Sequence, residues 1–502
     1  CEKFNQRNIL KLRIKEFSKK HIWFLSYVLN CYLILSLMST KDIRFILPIY
    51  PIFCIYLSIF INSKKINFFS IKSKKIILII SITFSILVSD NFFYLKKSKF
   101  NSYYDWHHFD VINEITLKSP NLFSTIAILP DTREINTFNL EAEAAKQGEQ
   151  IAVRQIVSNK ESFKDDLQLF DWFLLKTKDQ GIMTNESKRL LNKYLLEQSS
   201  FVIHKKWLLP DDSELILLRR KEISSSLSPI VCLNNSKSLK IKQIANGINL
   251  RISGKGHLID SSNILLDLIG EKFKKLVNIS LANGAFYEDI DKEKCYSLNQ
   301  NISIDFPEEI PKNLFLKARI INNVGNIQNL NLENNSLIIN EKLIKSKDLH
   351  MVNRINKVNH LGNFLRKGEF KNLFNLVGII NQSDPKQQYL KDAEIIFTQR
   401  YQDNNNLDDL YSILISQILQ RKVIEAEKTI NLILKRENKN GNAYLAKSII
   451  NIFLFDRKDA RDSLNKAKVL NKSLESKEIL TKIEGLTYLL EMKFINAYKS
   501  LI

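Results

Sequence analysis

The sequence predicts a multi-domain chain: α-helical membrane spans, then a small α/β domain, a β-sandwich and α-helical repeats. Three observations carry that reading. Three apolar runs crowd the first 95 residues, and about 20 such residues cross a bilayer as a helix. Strand-like and helix-like patterns alternate from 123 to 222, and short strand-like runs bounded by Gly, Asn, Asp and Ser follow to 345. Beyond 350 the apolar spacing is helical, and small residues return at a period near 34. The divisions fall at 1–95, 96–225, 228–345 and 350–502.

The expected spans are 21–40 (HIWFLSYVLNCYLILSLMST), 45–61 (FILPIYPIFCIYLSIFI) and 76–89, the last extending through NFFYL to 95. A signal peptide would supply one such run, not three. The loop INSKKINFFSIKSKK carries five lysines and no acid, and residues 1–20 carry seven Lys and Arg against two Glu. Basic loops stay cytoplasmic, so STKDIR and everything after 95 are expected outside. Placement of charge also decides against nucleic acid as a partner. Of the net +21, residues 1–100 supply 17 Lys and Arg against 4 Asp and Glu, around the apolar runs. No basic patch interleaved with base-stacking aromatics stands elsewhere.

Cys31 and Cys54 lie in apolar runs and read as packing residues. Cys232 and Cys295 belong to the region placed outside the cytoplasm, where they either pair or remain as two thiols. The chain opens on Cys1 without an initiator Met, and the expectation is that an upstream part precedes it.

Residues 96–122 hold Asp105, His107, His108 and Asp110. One short helix does not aim adjacent histidines at one ion, so no metal site is assigned; an amphipathic helix on the membrane surface is expected. Strands are expected at STIAIL, QIAVRQI, DWFLLK, FVIHKKW and SELILLRR, with helices at EINTFNLEAEAAKQG and NESKRLLNKYLLEQ. In ILPDTREIN, Asp131 and Thr132 read as helix caps in preference to an anion site. No Gly-rich phosphate loop and no nucleophile elbow occurs, which leaves dinucleotide and serine-hydrolase chemistry without support.

The runs from 228 to 345 suggest a sandwich of seven to eight strands. Phe286, Tyr287 and Tyr296 are the aromatics that could stack on a sugar; core packing is their ordinary role. In the helical region Ala426 and Ala460 stand 34 residues apart and Ala497 follows 37 later. That period resembles tetratricopeptide repeats, helix pairs in which Ala permits close approach, and the resemblance implies a protein or peptide partner in a concave groove.

Residues 44–51, Arg-Phe-Ile-Leu-Pro-Ile-Tyr-Pro, resemble the Arg-Tyr-x-Leu-Pro-x-x-Pro element of polytopic GT-C glycosyltransferases of the protein-mannosyltransferase and aminoarabinose-transferase type. Phe45 stands where that family usually has Tyr. The resemblance implies transfer of a sugar from a polyprenyl-phosphate donor to a lipid or protein acceptor on the outer face, with no redox cofactor. On the residues alone Arg44 reads either as an interfacial anchor snorkelling at the lip of its span, with prolines tolerated near the helix start, or as a phosphate contact. The resemblance implies that Arg44, with Lys41 as companion, contacts the lipid phosphate, because a guanidinium presents a rigid fork of donors to phosphate oxygens. The family's acidic catalytic residue lies in its first outer loop, a segment absent from this sequence, and Asp42 is not assigned that role. The other reading is a non-catalytic, membrane-anchored scaffold with protein-binding repeats.

Overall fold

The computed structural model describes residues 26–27 and 105–502, apart from 157–166, 182–184, 199, 233–237, 245–246, 261, 272, 305, 307–311, 341–342, 344–352, 385, 472–473 and 502. Residues 104–502 form one packed unit. Its first layer is a five-stranded sheet of β1 (Ser124–Ile128), β2 (Ile151–Gln155), β3 (Trp172–Lys176), β4 (Phe201–Leu208) and β5 (Glu214–Arg220) in the order β2-β1-β3-β5-β4. The first three strands run parallel, and β5 is antiparallel to β3 and β4.

Successive side chains of a strand point to opposite faces, and here both faces are covered. Ile126, Ile128, Trp172, Leu174, Leu215 and Leu217 pack beneath α1 (His108–Lys118) and α2 (Thr137–Lys146). Ala127, Phe173, Leu175, Ile216 and Leu218 pack against α3 (Asn185–Glu197). Strands buried on both sides explain why DWFLLK and ELILL read as continuous apolar runs. Val111, Ile112 and Ile115 of α1 are wholly buried in this core. The expectation of a membrane-surface helix at 96–122 is therefore corrected: the apolar face of the helix is spent on the sheet.

The sandwich follows. One sheet orders β6 (Ser225–Ile230), β11 (Cys295–Ser303), β8 (Gly247–Lys255) and β7 (Ser238–Ile244) as β6-β11-β8-β7. The other orders β10 (Lys274–Ser280), β9 (Ser262–Ile269), β12 (Asn313–Asn322) and β13 (Ile327–Leu330), with β14 (Ser336–Ile338) also on β12. The short α4 (Gly256–Asp260) links β8 to β9. Leu250, Ile252 and Leu298 from one sheet meet Leu266, Leu316 and Ile320 from the other. β6 was not legible in SSLSPI: Pro229 argues against a strand, and it is tolerated because β6 lies at the sheet edge. Cys232 is joined to Cys295, which settles the open choice between a pair and two thiols.

Nine helices complete the described chain: α5 (Arg354–Lys367), α6 (Phe370–Ser383), α7 (Gln388–Asn404), α8 (Leu407–Leu419), α9 (Val423–Arg436), α10 (Gly441–Phe453), α11 (Arg457–Leu470), α12 (Leu474–Leu490) and α13 (Phe494–Leu501). Leu265 and Ile321, on the outer face of the second sheet, join the core of α5, α7 and α8. Three turns close alike. Lys422, Asp456 and Lys493 donate their N–H groups to the carbonyls of Gln417, Asn451 and Tyr488 at 2.9, 2.9 and 2.8 Å. The residue before each, Arg421, Phe455 or Met492, is left-handed with φ of 61°, 59° and 61°. This is the closure that satisfies the last carbonyls of a helix. Ala426, Ala460 and Ala497 are all at most 1% exposed, where a larger side chain would hold neighbouring helices apart.

The expected fold class needs one correction. Among the described residues no helix is long and apolar enough to cross a membrane. The longest, α7 and α12, have 17 residues, which rise about 25 Å against a hydrocarbon core of about 30 Å. α7 also carries Lys391, Asp392, Glu394, Arg400 and Asp403. The described fold is mixed α/β with three sheets and no spanning helix; the runs 45–61 and 76–95, and 21–40 apart from Ser26 and Tyr27, lie outside the described residues.

Candidate binding cleft

Three parts of the chain meet at one turn. After β10 the backbone enters a tight 3-10 turn, Leu281–Gly284. Ala282, Asn283 and Gly284 are left-handed in succession, with φ of 49°, 53° and 73°. For a residue with a Cβ that conformation costs about 1–2 kcal/mol, so the surroundings must hold it. Gln300 does so from β11: its Oε1 accepts from the Ala282 N–H at 2.9 Å while its Nε2 donates to the Ser280 carbonyl at 2.9 Å. Phe123, leading into β1, donates its N–H to the Ala285 carbonyl at 2.5 Å. From the helical side α7 presses on Gly284, where an added Cβ would lie 2.3 Å from Cγ of Gln388.

The turn forms one wall of a cleft of about 870 Å³ between the sandwich and α7. Gln388, Lys391, Thr398 and Gln402 line the helical wall; Tyr287 and Asn323 stand on the sandwich side. Three of the four lysines lining the cleft are answered locally, and Lys391 has no ion-pair partner among the described residues. Lys292 pairs with Asp260, Lys386 with Glu288 at 3.3 Å and Lys422 with Glu394 at 2.5 Å. Burial holds the Lys292 ammonium below the usual lysine range. What remains on the walls is mostly amide and hydroxyl, groups that offer both donors and acceptors.

Asp392 lies under this cleft, 5% exposed. Its carboxylate accepts from Ser280 Oγ at 2.5 Å, from Gln388 Nε2 at 3.2 Å and from Asn263 Nδ2 at 3.5 Å. Burial raises its pKa above the ordinary carboxylate value, and those hydrogen bonds offset only part of the rise.

The residues singled out from sequence are distributed as follows. Phe286 and Tyr296 are 7% and 4% exposed within the sandwich core, so neither forms a stacking platform. Tyr287 is half-buried on the cleft wall and donates its hydroxyl to Glu149 at 3.0 Å; burial first, then Glu149, raise its pKa. Asp105, His107 and Asp110 do converge, with His107 Nδ1 2.6 Å from Asp110 and 3.6 Å from Asp105. His108 turns away to the Glu134 carbonyl at 2.8 Å, and burial lowers its pKa. The His107–Asp110 side-chain bond and the His107 backbone N–H donated to Asp105 at 2.7 Å account for this cluster at a partly exposed helix start. Thr132 caps locally, accepting from the Ile135 N–H at 3.0 Å, but the cap of α2 itself is Asn136, which accepts from Asn139. Arg44 and Lys41 lie outside the described residues.

No protein-family model matches the chain, and no curated protein is found similar to it. The cleft was not foreseen. LANG carried a usable signal, since Asn-Gly marks a turn. Gln388 and Asp392 carried none, because only the docking of α7 on the sandwich gives them a neighbour.

Proposed function

We propose that the chain belongs to a sugar transferase that works outside the cytoplasm on a polyprenyl-phosphate donor and a lipid or protein acceptor. The element Arg44–Pro51 carries this reading. Arg44 and Lys41 would neutralise the donor's phosphate, charge that must be stabilised as the sugar leaves. The disulfide between Cys232 and Cys295 supports an extracytoplasmic setting for residues 105–502, since such bonds persist in oxidising compartments. The cleft beside α7 supports an acceptor role for this region: three of its four lysines are paired locally, and its amide and hydroxyl walls suit a hydroxyl-rich group. The test is transfer of labelled sugar from a polyprenyl-phosphate donor by the native protein in membranes, with any segment that precedes Cys1 included. Arg44→Ala should abolish transfer while the Cys232–Cys295 bond and the melting of the folded region stay unchanged. Full activity in that variant removes the reading.

A second reading, a scaffold whose helix pairs hold a protein partner, is favoured by the last helices. Phe494, Ile495 and Tyr498 of α13 are 62%, 74% and 64% exposed, and clustered exposed apolar side chains mark interaction surfaces. It predicts partner capture that Phe494→Ser with Ile495→Ser abolishes, and no transfer of sugar.

A further inference from the structure

The outer face of the sheet β6-β11-β8-β7 has no role in the cleft. Its inner side chains, Leu239, Ile241, Leu250, Ile252 and Leu298, are buried in the sandwich. The alternate positions therefore face outward. Register sets Arg251 on β8 opposite Asn299 on β11 and Lys240 on β7, and Asn249 opposite Lys242. Residues directly opposite in antiparallel strands share a face, so these side chains stand side by side. Together they line an open groove of about 400 Å³ with Ser226, Ser228 and Ser297. That volume lies within the roughly 300–1,000 Å³ of small-molecule sites.

The composition of this groove differs from that of the cleft. Its lining includes three cations, no carboxylate and no aromatic side chain. Lys240 is answered from beside the groove by Glu333 at 3.1 Å. Among the described residues Lys242 has no ion-pair partner. Among the described residues Arg251 is held by one bond, Nε to Ser297 Oγ at 3.0 Å, which steadies the guanidinium and leaves its two terminal amino groups without a protein partner there. A fixed guanidinium fork with a lysine beside it matches a carboxylate, sulfate or phosphate group. The serine and asparagine side chains around it match hydroxyls. A nucleic acid would call for stacking aromatics that the groove lacks.

We infer that this face binds an acidic saccharide, with Arg251 and Lys242 on its anionic group and Ser297, Asn249 and Asn299 on its hydroxyls. The site is separate from the cleft and is tested without any transfer assay. The full chain is titrated calorimetrically with oligosaccharides bearing uronate, sulfate or phosphate groups, with maltotriose and inorganic phosphate as comparators. At least one acidic oligosaccharide should bind with Kd below about 1 mM, the weak end of specific recognition. Arg251→Ala with Lys242→Ala should weaken it about tenfold or more, and affinity should fall as salt is raised. Both side chains are exposed, so the double variant should melt as the parent does. Lys317→Ala, on the other sheet, serves as control and should bind normally. Failure of every acidic oligosaccharide, unchanged affinity in the double variant, or equal affinity for maltotriose overturns the assignment. Inorganic phosphate binding as tightly as the oligosaccharides overturns its saccharide part.

Discussion

Ser280, the last residue of β10, donates its hydroxyl to the carboxylate of Asp392 on α7 at 2.5 Å, across the junction of sandwich and helices. The bond joins residues 112 apart in sequence and lies beside the left-handed turn. The turn, the cleft and the docking of α7 are thus one arrangement, and its stability is open to titration.

Asp392 should make stability fall as pH rises. Its folded pKa is raised by burial above the unfolded value of 3.8. Between those two values the folded state holds a proton that the unfolded state has lost, so stability declines as pH climbs through that window. Asp392→Asn should flatten the decline and be neutral to stabilising at pH 7. Asp392→Ala leaves Ser280, Gln388 and Asn263 short of an acceptor and should cost about 1–3 kcal/mol. Urea unfolding midpoints at several pH values decide it; a parental slope in Asp392→Asn contradicts the assignment.

Gly284→Ala should be among the more damaging single substitutions. It places a Cβ 2.3 Å from Cγ and 2.7 Å from Cβ of Gln388, at a φ of 73°. A loss of about 2 kcal/mol or more is expected, combining left-handed strain with overpacking. Gly284→Ala with Gln388→Gly should recover the overpacking share. A double variant no more stable than the single one would show that α7 does not press on the turn as described.

Reduction of the Cys232–Cys295 bond, which spans a sequence separation of 63, should destabilise the unit by about 4 kcal/mol through loop-closure entropy. Denaturation with and without dithiothreitol measures this. Equal midpoints would mean that the bond is absent from the folded protein.

Phe455→Gly should stabilise. Phe455 is 78% exposed and left-handed, so the substitution sacrifices little packing and relieves the Cβ. The gain should be about 0.5–1 kcal/mol once the greater freedom of unfolded glycine is counted. A lower melting temperature would contradict this account of the turn.

Parts of this architecture were legible in the sequence because they follow from short-range pattern. The five strands of the α/β layer stand where STIAIL, QIAVRQI, DWFLLK, FVIHKKW and SELILLRR place them. The buried β3 and β5 leave unbroken apolar runs, and the edge strand β4 shows the apolar and polar mixture of a half-exposed strand. The 34-residue spacing of Ala426 and Ala460 recurs in the backbone as the left-handed turns at Arg421 and Phe455. Other features depended on contacts that no local window contains. The apolar face of α1 reads the same whether it meets a bilayer or a sheet, and only the packing of Val111, Ile112 and Ile115 decides. Phe286 lies in the sandwich core because Leu122 bridges to it from 164 residues earlier in the chain. The cationic sheet face was hidden for the same reason. Arg251, Asn299 and Lys240 come from three separated runs and become neighbours only through strand register.

The central claim is best tested by one kinetic measurement: label transfer from a polyprenyl-phosphate sugar by the native protein in membranes, with any segment that precedes Cys1 included, for the parent, Arg44→Ala and Gln402→Ala. The account predicts transfer by the parent and a loss of about a hundredfold or more in Arg44→Ala, the scale of removing one transition-state donor. Gln402→Ala should raise the acceptor KM by about tenfold with kcat unchanged, as expected when a contact made equally in ground and transition states is lost. No transfer by the parent, or full activity in Arg44→Ala, would contradict it.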